Sequence, residues 1–265
     1  MAGPLFPIGS VLRYSSTKIR TDDAMAHHAE DGLFEIYYTV SGRCRYFIDD
    51  TSYELLPGDV VMIPAGVIHR ISYGAEEHER LLIECTADFI PSAARAELAK
   101  GPRLYRSLSL SRDVFTIMKK IEGEYAHPDK FSTDVIRTNM RILFYALARG
   151  AVGSVPKVQS AVVKEAIAYI KQSYAQDVTL STVASRYFVS PEHLSRTFKK
   201  QTGFGFNEYL SLVRLGHAEE LLRKKRGMSI SEIAYACGFN DSNYFSDKFK
   251  RTYGISPLKY SKTEE

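Results

Sequence analysis

Two short segments near the C-terminus, 191–201 and 242–252, carry side chains of the types that contact nucleic acids. Arg196 can donate to both acceptors of a guanine, and Asn243 has the amide that can pair with an adenine in the major groove. Lysines in the same segments can neutralise phosphates, which positions a protein on DNA without reading its sequence. These residues predict contact with DNA if the fold presents both segments on its surface.

The two segments belong to a pattern that occurs twice between Val178 and Pro257, with an offset of 50 residues at first and 51 residues later. A repeat at this distance indicates two copies of one supersecondary unit, because a solenoid needs at least about three. The matched pairs are Leu180 and Ile230, Val183 and Ile233, Ala184 and Ala234, Val189 and Phe239, Leu194 and Phe245, Ser195 and Ser246, Phe198 and Phe249, Lys199 and Lys250, and Gly203 and Gly254.

Helix start and stop signals divide each copy into a helix, a turn and a second helix. In the second copy, Ser229 with Glu232 forms a capping box, Gly238 can end the first helix, and Asn240 or Asp241 can cap the next helix. In the first copy, Ser190 with Pro191 is a Ser-Pro helix start. Each copy is therefore predicted to be a helix-turn-helix unit whose second helix can enter a major groove.

Between the two units, residues 206–225 are predicted to form one unbroken helix with apolar residues around much of its circumference. At 1.5 Å per residue this helix is roughly 30 Å long. That length is close to the ~34 Å between successive major-groove segments on one face of DNA. One chain could therefore reach two adjacent grooves.

Residues 178–260 resemble the two-unit DNA-binding domain of AraC/XylS-type transcription regulators. The run 229–240, followed by 244–250 and 254–257, matches the second unit of that family nearly position by position and without gaps. The resemblance implies a bacterial-type regulator that binds double-stranded promoter DNA, with RNA polymerase as a further partner. A helical bundle that touches no nucleic acid is the structural alternative.

The resemblance also implies which side chains face DNA. The outward positions are Glu192, His193, Ser195, Arg196 and Lys199 in the first recognition helix, and Ser242, Asn243, Ser246 and Asp247 in the second. The expected phosphate contacts are Lys199, Lys200, Lys248, Lys250 and Arg251, and the residues expected to be buried are Leu194, Phe198, Phe245 and Phe249. Asp247 is unusual there, because phosphates repel a carboxylate unless it accepts a hydrogen bond from cytosine N4.

Length and composition predict two globular domains, since the chain has 265 residues of which 45% are hydrophobic. The sequence has neither a long apolar run nor a basic, apolar leader, so we expect a soluble, cytoplasmic protein that makes no membrane contact. Cys44, Cys85 and Cys237 lack the spacing of a zinc site or a disulfide framework. Residues 1–155 hold 18 Lys and Arg against 20 Asp and Glu, whereas residues 156–265 hold 17 against 11. The basic half is the one with the repeat, as phosphate binding requires.

Residues 1–26 carry little pattern and are expected to form an arm. From Leu33 to Thr86 the sequence pattern of the N-terminal half is typical of β structure. Short β-branched and aromatic runs alternate with turn signals, which is typical of an antiparallel sandwich or barrel. The predicted strands are 33–40, 43–48, 53–56, 60–63, 69–73 and 81–86.

This region resembles the cupin barrel. Gly58, Pro64, Gly66 and His69 stand at the spacings of the second cupin motif, and Glu35 followed by Gly42 matches the end of the first. The resemblance places the family's metal-binding positions at His28, Glu30, Glu35 and His69, where a glutamate replaces one histidine; Tyr73 stands where the second motif usually ends in asparagine. This set is chemically capable of holding a divalent metal.

Three interpretations of this constellation remain open. Either the four side chains hold a metal, or they serve with Tyr37 and Tyr46 as an effector pocket that binds a small molecule without any cofactor. By family analogy the effector is a sugar or a related polar metabolite. A third interpretation is that the positions are inherited and satisfied by their neighbours.

From Leu104 the texture becomes helical, with two amphipathic stripes separated near His127-Pro128. These helices either pack on the barrel or, as the resemblance implies, also form a homodimer face. Gly150–Pro156 is rich in turn residues and predicts a linker. The expected domains are a barrel with its arm at 1–103, a helical segment at 104–150, a linker at 151–158 and the helix-turn-helix domain at 159–265.

The whole chain is thus predicted to be an α+β protein in which a cupin-like β-barrel with two helices precedes an all-α domain of two helix-turn-helix units joined by a long helix. We interpret it as an effector-responsive transcription regulator with no catalytic residues. The alternatives are a metal-dependent cupin enzyme with a DNA-binding tail, and a regulator controlled by a protein partner. The sequence leaves the effector, the operator and the choice between activator and repressor open.

Overall fold

The structure, a computed structural model, describes residues 6, 10–19, 33–74, 76–150, 159–224 and 227–262. Its strands are β1 (Leu12–Ile19), β2 (Phe34–Ser41), β3 (Cys44–Ile48), β4 (Thr51–Leu55), β5 (Val60–Ile63), β6 (His69–Tyr73), β7 (His78–Cys85) and β8 (Arg103–Tyr105). Its helices are α1 (Ser92–Leu98), α2 (Leu108–Ala126), α3 (Ser132–Arg149), α4 (Ala161–Ser173), α5 (Leu180–Arg186), α6 (Pro191–Thr202), α7 (Phe206–Lys224), α8 (Ile230–Ala236), α9 (Ser242–Tyr253) and α10 (Pro257–Lys262). The predicted α+β class is confirmed.

The described strands form two antiparallel sheets, a large one in the order β1-β7-β2-β5-β8 and a small one in the order β4-β3-β6. Because successive side chains of a strand point to opposite faces, each sheet has an inner and an outer face. The inner faces share one apolar core that includes Tyr37, Tyr46 and Leu55. The cupin-like barrel predicted for the N-terminal half is therefore present.

The outer face of the large sheet is covered by helices. Phe34, Ile36 and Tyr38 of β2 belong to the same buried cluster as apolar residues of α2 and α3, including Met118 and Phe144. With the barrel core on its other side, β2 is buried on both faces over most of its length. A strand covered on both faces reads as a continuous apolar run, which is why 34–40 shows no alternation.

The outer face of the small sheet packs on the C-terminal domain. Phe47 of β3 lies edge-on against the rings of Phe204 and Tyr209, with centroid distances of 5.9 and 5.8 Å. It belongs to the buried cluster of the first helix-turn-helix unit rather than to the barrel core. The barrel and the first unit thus share an apolar contact.

The long helix α7 joins the two helix-turn-helix units, as predicted. Tyr209 and Val213 are buried with α4, α5 and α6, and Leu215 and Leu222 are buried with α8 and α9. Its 19 residues make it about 28 Å long. Because both of its ends lie in apolar cores, α7 fixes the separation of the two units.

Capping residues set the ends of the short helices much as the sequence indicates. Ser190 accepts a hydrogen bond from the amide of His193, and Ser229 with Glu232 forms the predicted capping box. Asp241, and not Asn240, caps α9. α5 begins with a capping box of its own, Thr179 with Thr182, which the sequence analysis missed.

The largest differences from the prediction in the N-terminal half concern three strands. The expected arm contains strand β1, which pairs with β7 along its full length. Its middle residues are polar and partly exposed, as an edge strand tolerates, so the apolar pattern that marks the other strands is weak. β7 starts at His78 and not at Leu81, and β8 pairs with β5 where the sequence predicted the start of helical structure. The linker 151–158 lies outside the described residues.

Candidate functional site

A polar cluster lies between the sheets inside the barrel. Glu35 of β2 accepts a hydrogen bond from the hydroxyl of Tyr46 on β3, and its Oε2 lies 3.2 Å from Nε2 of His69 on β6. The other ring nitrogen of His69, Nδ1, lies 2.8 Å from the carbonyl of Val67. The imidazole thus lies between a carbonyl and a carboxylate, two groups that can each accept a hydrogen bond from it. The cluster is therefore a buried carboxylate–imidazole pair with a phenol hydrogen-bonded to the carboxylate.

The ionisation of Glu35 depends on these partners. Burial alone raises the pKa of a carboxyl, but the charge of His69 and the hydrogen bonds from His69 and Tyr46 outweigh that effect and hold the pKa of Glu35 below its ordinary value. Burial and the Glu35 charge raise the pKa of the Tyr46 phenol well above 10. At neutral pH the cluster thus presents a carboxylate and a neutral phenol beside the His69 imidazole.

A second polar group adjoins the first within the barrel. The hydroxyl of Tyr37 lies 2.6 Å from Nε2 of His78, and the ring of Tyr73 lies 5.0 Å from that imidazole. Burial and the nearby charge of Arg80 lower the pKa of His78 to about 4, so this histidine is neutral at pH 7. Its Nδ1 is buried and has no hydrogen-bond partner among the described residues. The His78 Nδ1 is therefore an atom of this second polar group that a ligand could satisfy.

Of the six residues predicted to bind an effector, the structure brings Glu35, Tyr37, Tyr46 and His69 together on the inner faces of the two sheets. The other two, His28 and Glu30, lie outside the described residues, so the four-residue metal site stays a prediction. Within the described ranges, no group of three or more His, Cys, Asp and Glu side chains is placed to hold a metal.

The sequence analysis missed His78 and Arg80 because it began β7 at Leu81. His78, Arg80 and Leu82 alternate along β7, and Leu82 lies in the barrel core. Extending the strand by three residues would have placed both basic side chains on the inner face.

The first recognition helix, α6, has one apolar and one polar side. Leu194 and Phe198 are fully buried, while Glu192, His193, Arg196, Lys199 and Lys200 are exposed and Ser195 is half-buried. This is the amphipathic pattern of a helix that packs on its unit with one face and leaves the other free.

The second recognition helix, α9, repeats this pattern. Phe245 and Phe249 are fully buried, whereas Asn243, Asp247, Lys250 and Arg251 are exposed and Ser242, Ser246 and Lys248 are half-buried. The Ser246 hydroxyl donates to the carbonyl of Ser242 at 2.8 Å, so its proton is engaged within the helix. Tyr244, which the sequence analysis did not select, is half exposed on the same helix, with Lys248 Nζ 5.5 Å from its ring centroid.

The two units are also tied together outside α7. The guanidinium of Arg214 donates to the carbonyls of Tyr174 and Gln176 at 2.8 and 2.9 Å. The ring of Tyr174 stacks on His217 at a centroid distance of 3.9 Å. Gly238, in the turn of the second unit, lies so close that an added Cβ would be 2.7 Å from the Tyr174 carbonyl oxygen. The loop after α4 therefore touches both units.

A cleft of about 710 Å³ separates the barrel from the second half of α7. Apolar side chains such as Ile68 and Leu212 line it together with charged groups. Among the latter, Lys171 pairs with Asp49 and Lys224 pairs with Glu220. The walls of the cleft therefore combine apolar and charged side chains.

Two family models match the chain. The AraC-like ligand binding domain matches residues 15–132, and a helix-turn-helix domain matches residues 183–263. The chain is 29% identical over 226 residues to the uncharacterised HTH-type transcriptional regulator YijO of Escherichia coli, covering 78% of this chain and 74% of that protein. It is 31% identical over 153 residues to the HTH-type transcriptional activator RhaS of Escherichia coli, covering 58% of this chain and 54% of that protein. In that comparison the chain spans about half the length of the relative.

Solved structures also align with the chain. The C-terminal domain of AraT, a response regulator from Geobacillus stearothermophilus, is 38% identical, with a TM-score of 0.38 over 40% of this chain and 88% of that one. ToxT from Vibrio cholerae is 14% identical, with a TM-score of 0.39 over 94% of this chain and 96% of that one.

A pair of helix-turn-helix units beside a ligand-binding barrel defines a DNA-binding transcription regulator. The chain belongs to the AraC/XylS family, as its motifs indicate. The relatives named above are regulators, which is consistent with the expected non-enzymatic role. No helix in the described part of the chain is long and apolar enough to cross a membrane.

Proposed function

We propose that this protein regulates transcription in response to a small polar molecule, a sugar or related metabolite, that binds inside the barrel. The observation that carries the proposal is the cluster of Glu35, Tyr46 and His69, buried inside the barrel beside the second polar group of Tyr37 and His78. Burying polar and charged groups costs free energy even when they are paired, so the packing of the core does not by itself explain this cluster. It offers both donors and acceptors to the hydroxyls of a ligand.

The proposal requires a ligand to replace contacts that the side chains now make with one another. A sugar hydroxyl can donate to Glu35 where Tyr46 does, and another can accept from His69. The Nδ1 of His78, which has no hydrogen-bond partner in the described part of the chain, supplies a further position for a hydrogen bond. Binding then exchanges hydrogen bonds at little net cost and gains the burial of the ligand's apolar face.

Thermal unfolding of the full chain against a panel of sugars, sugar acids and small metabolites tests the effector proposal. A ligand at about one hundred times its dissociation constant adds about 2.7 kcal/mol to the folded state. The shift should be lost in Glu35→Gln and kept in Glu54→Gln, which alters an exposed carboxylate on the small sheet. If no compound in a broad panel shifts the transition, the effector pocket is refuted and control by a protein partner takes its place.

For DNA, we infer that Arg196 reads a base and that Lys250 holds a phosphate. Both side chains are exposed on the free faces of their helices. Arg196→Ala should relax the preference at one base pair of a selected duplex, by about 1–3 kcal/mol. Lys250→Ala should weaken all duplexes alike and lower the salt dependence by about one phosphate. Uniform weakening by Arg196→Ala would make it a phosphate contact instead.

Dimerisation through α2 and α3 is the further part of the proposal. Leu108 is 80% exposed, and Ile142 and Phe131 are more than half exposed. Ile142→Glu should convert a dimer to a monomer in analytical ultracentrifugation, whereas Arg141→Glu, an exposed neighbour, should not. A monomeric wild-type chain at micromolar concentration would end this part of the proposal.

A further inference from the structure

The end of the first recognition helix is held by the barrel. Three side chains of the small sheet reach across to it: Arg45 donates to the carbonyl of Lys200 at 2.9 Å, Ser52 to that of Gln201 at 2.6 Å, and Arg70 to that of Gly203 at 2.5 Å. The last carbonyls of a helix have no partner within the helix. The barrel therefore supplies part of the C-terminal cap of α6.

The charges of these donors suit the position. The C-terminus of a helix carries a partial negative charge, which cations stabilise. Two of the three donors are guanidinium groups, and both come from neighbouring strands of one sheet. The barrel thus meets α6 with the charge that its end requires.

Arg70 is the most enclosed of the three. Its side chain is 8% exposed, its Nη2 lies 2.7 Å from Oε1 of Glu208, and its Cζ lies 3.8 Å from the centroid of the Phe204 ring. Glu208 also accepts a hydrogen bond from the amide of Gly205 at 3.0 Å. One guanidinium therefore fixes the end of α6, the turn that follows and the first turn of α7.

The same strands carry the polar cluster on their other face. On β3, Tyr46 points into the barrel and lies between Arg45 and Phe47 in sequence; on β6, His69 points inward and precedes Arg70. Because side chains alternate along a strand, a shift of either backbone moves both faces together. A ligand that shifts the backbone at Tyr46 or His69 therefore also shifts Arg45 or Arg70, the neighbouring residues that donate to α6.

We propose that the small sheet of the barrel caps the C-terminus of the first recognition helix and holds this helix in place, and that Arg70 is a positioning residue for DNA reading. The inference rests on the proposed reading of DNA by α6. It adds two statements to that proposal. The contact between the small sheet and α6 favours DNA binding, and the effector acts on the first helix-turn-helix unit before the second.

The test uses the full chain and one DNA duplex, which the wild-type protein selects from a pool of random duplexes that are each about 25 base pairs long. The half that contacts the first unit is the one whose base preference relaxes in Arg196→Ala. Arg70→Ala should bind this duplex about threefold to tenfold more weakly. It should also flatten the preference in the first half while leaving the second half unchanged. Arg70→Lys, which keeps the charge but loses the planar fork, should recover part of the affinity.

Hydrogen exchange tests the cap without DNA, so its result stands even if no duplex is selected and the DNA-reading proposal fails. In Arg70→Ala, the amide of Gly203, which bonds the carbonyl of Lys199 at 2.9 Å, should exchange faster than in the wild type. Arg43→Ala, which removes an exposed arginine just before β3, is the matched control and should change neither readout. Arg45→Ala provides a partly exposed donor should Arg70→Ala fail to fold.

Three results would overturn the inference. Unchanged exchange at the end of α6 in both variants would show that the barrel does not stabilise the helix. Equal loss of preference in both halves of the duplex would mean that Arg70 supports the whole domain and not the first helix. Tighter DNA binding by Arg70→Ala would show that the contact between the small sheet and α6 opposes DNA binding.

Discussion

The two glycines that end the recognition helices provide a matched test of the contact between Arg70 of the barrel and the end of α6. Gly203 and Gly254 occupy equivalent places in the repeat, with φ angles of 80° and 74°. An alanine pays the left-handed penalty, about 1–2 kcal/mol, at either position. The surroundings differ, because a Cβ at Gly203 would lie 2.6 Å from Cδ of Arg70 and a Cβ at Gly254 would meet nothing within 4 Å.

The difference between the two alanine variants measures the contact of Arg70. In Gly203→Ala the guanidinium must move away from the Gly203 carbonyl and Glu208, and hydrogen bonds of charged groups are worth about 1.5–3 kcal/mol. Since 1 kcal/mol shifts the melting temperature of a chain of 150–250 residues by about 2–4 °C, Gly203→Ala should melt several degrees below Gly254→Ala.

Scanning calorimetry of the full chain is the assay, because it records separate transitions if the barrel and the helical domain unfold independently. The double variant Gly203→Ala with Arg70→Ala isolates the clash. Removing Arg70 first should bring the further cost of Gly203→Ala down to that of Gly254→Ala. Equal melting temperatures for Gly203→Ala and Gly254→Ala in the wild-type background would refute the reasoning, since the left-handed penalty would then account for both.

Three other predictions concern the barrel, the contact between units and the second recognition helix. The pKa of Glu35 in the folded protein lies below its ordinary value, so the ionised side chain stabilises the fold. This contribution is present above the unfolded carboxyl pKa of about 4.3 and is lost as the pH falls through the folded pKa. The melting temperature of Glu35→Gln, which lacks this carboxylate, should therefore fall less in acid than that of Glu54→Gln. Gly238→Ala places a Cβ 2.7 Å from a backbone carbonyl at a φ of 84° and should destabilise the helical domain by more than about 2 kcal/mol in urea titrations, whereas Gly216→Ala, in open space within α7, should stabilise it by about 0.5–1 kcal/mol. A loss for Gly238→Ala no larger than the left-handed penalty of about 1–2 kcal/mol would show that the loop after α4 yields freely. Asp247→Asn should strengthen binding to random duplexes in fluorescence anisotropy, because it removes a charge of the same sign as the phosphates; weaker binding would indicate that the carboxylate accepts a bond from cytosine.

Local signals accounted for the helical domain. Ser190, Ser229 and Asp241 cap helices because their side-chain oxygens bond amides three residues along, a relation that sequence spacing reveals. Repetition of the same spacing in two copies strengthened each assignment. The buried faces of α6 and α9 followed from the family resemblance together with the helical spacing of their apolar residues.

The barrel was harder to predict because its signals are shared between distant strands. β1 forms an edge whose neighbour, β7, lies more than sixty residues later in the chain, and its polar middle has no apolar alternation of its own. The inner position of His78 depends on the same pairing. The contacts of Arg45 and Arg70 with α6 join residues more than 130 positions apart, and no local pattern announces them.

The alternation of side chains along β3 has a consequence for how such a regulator can diverge. Tyr46 lies in the polar cluster, and its neighbour Phe47 lies in the apolar contact with the first unit. A substitution at the inward position can alter which molecule fits the barrel while the outward residue keeps the junction intact. Descendants could thus acquire a new signal molecule by changing inward residues alone, and retain the same promoters.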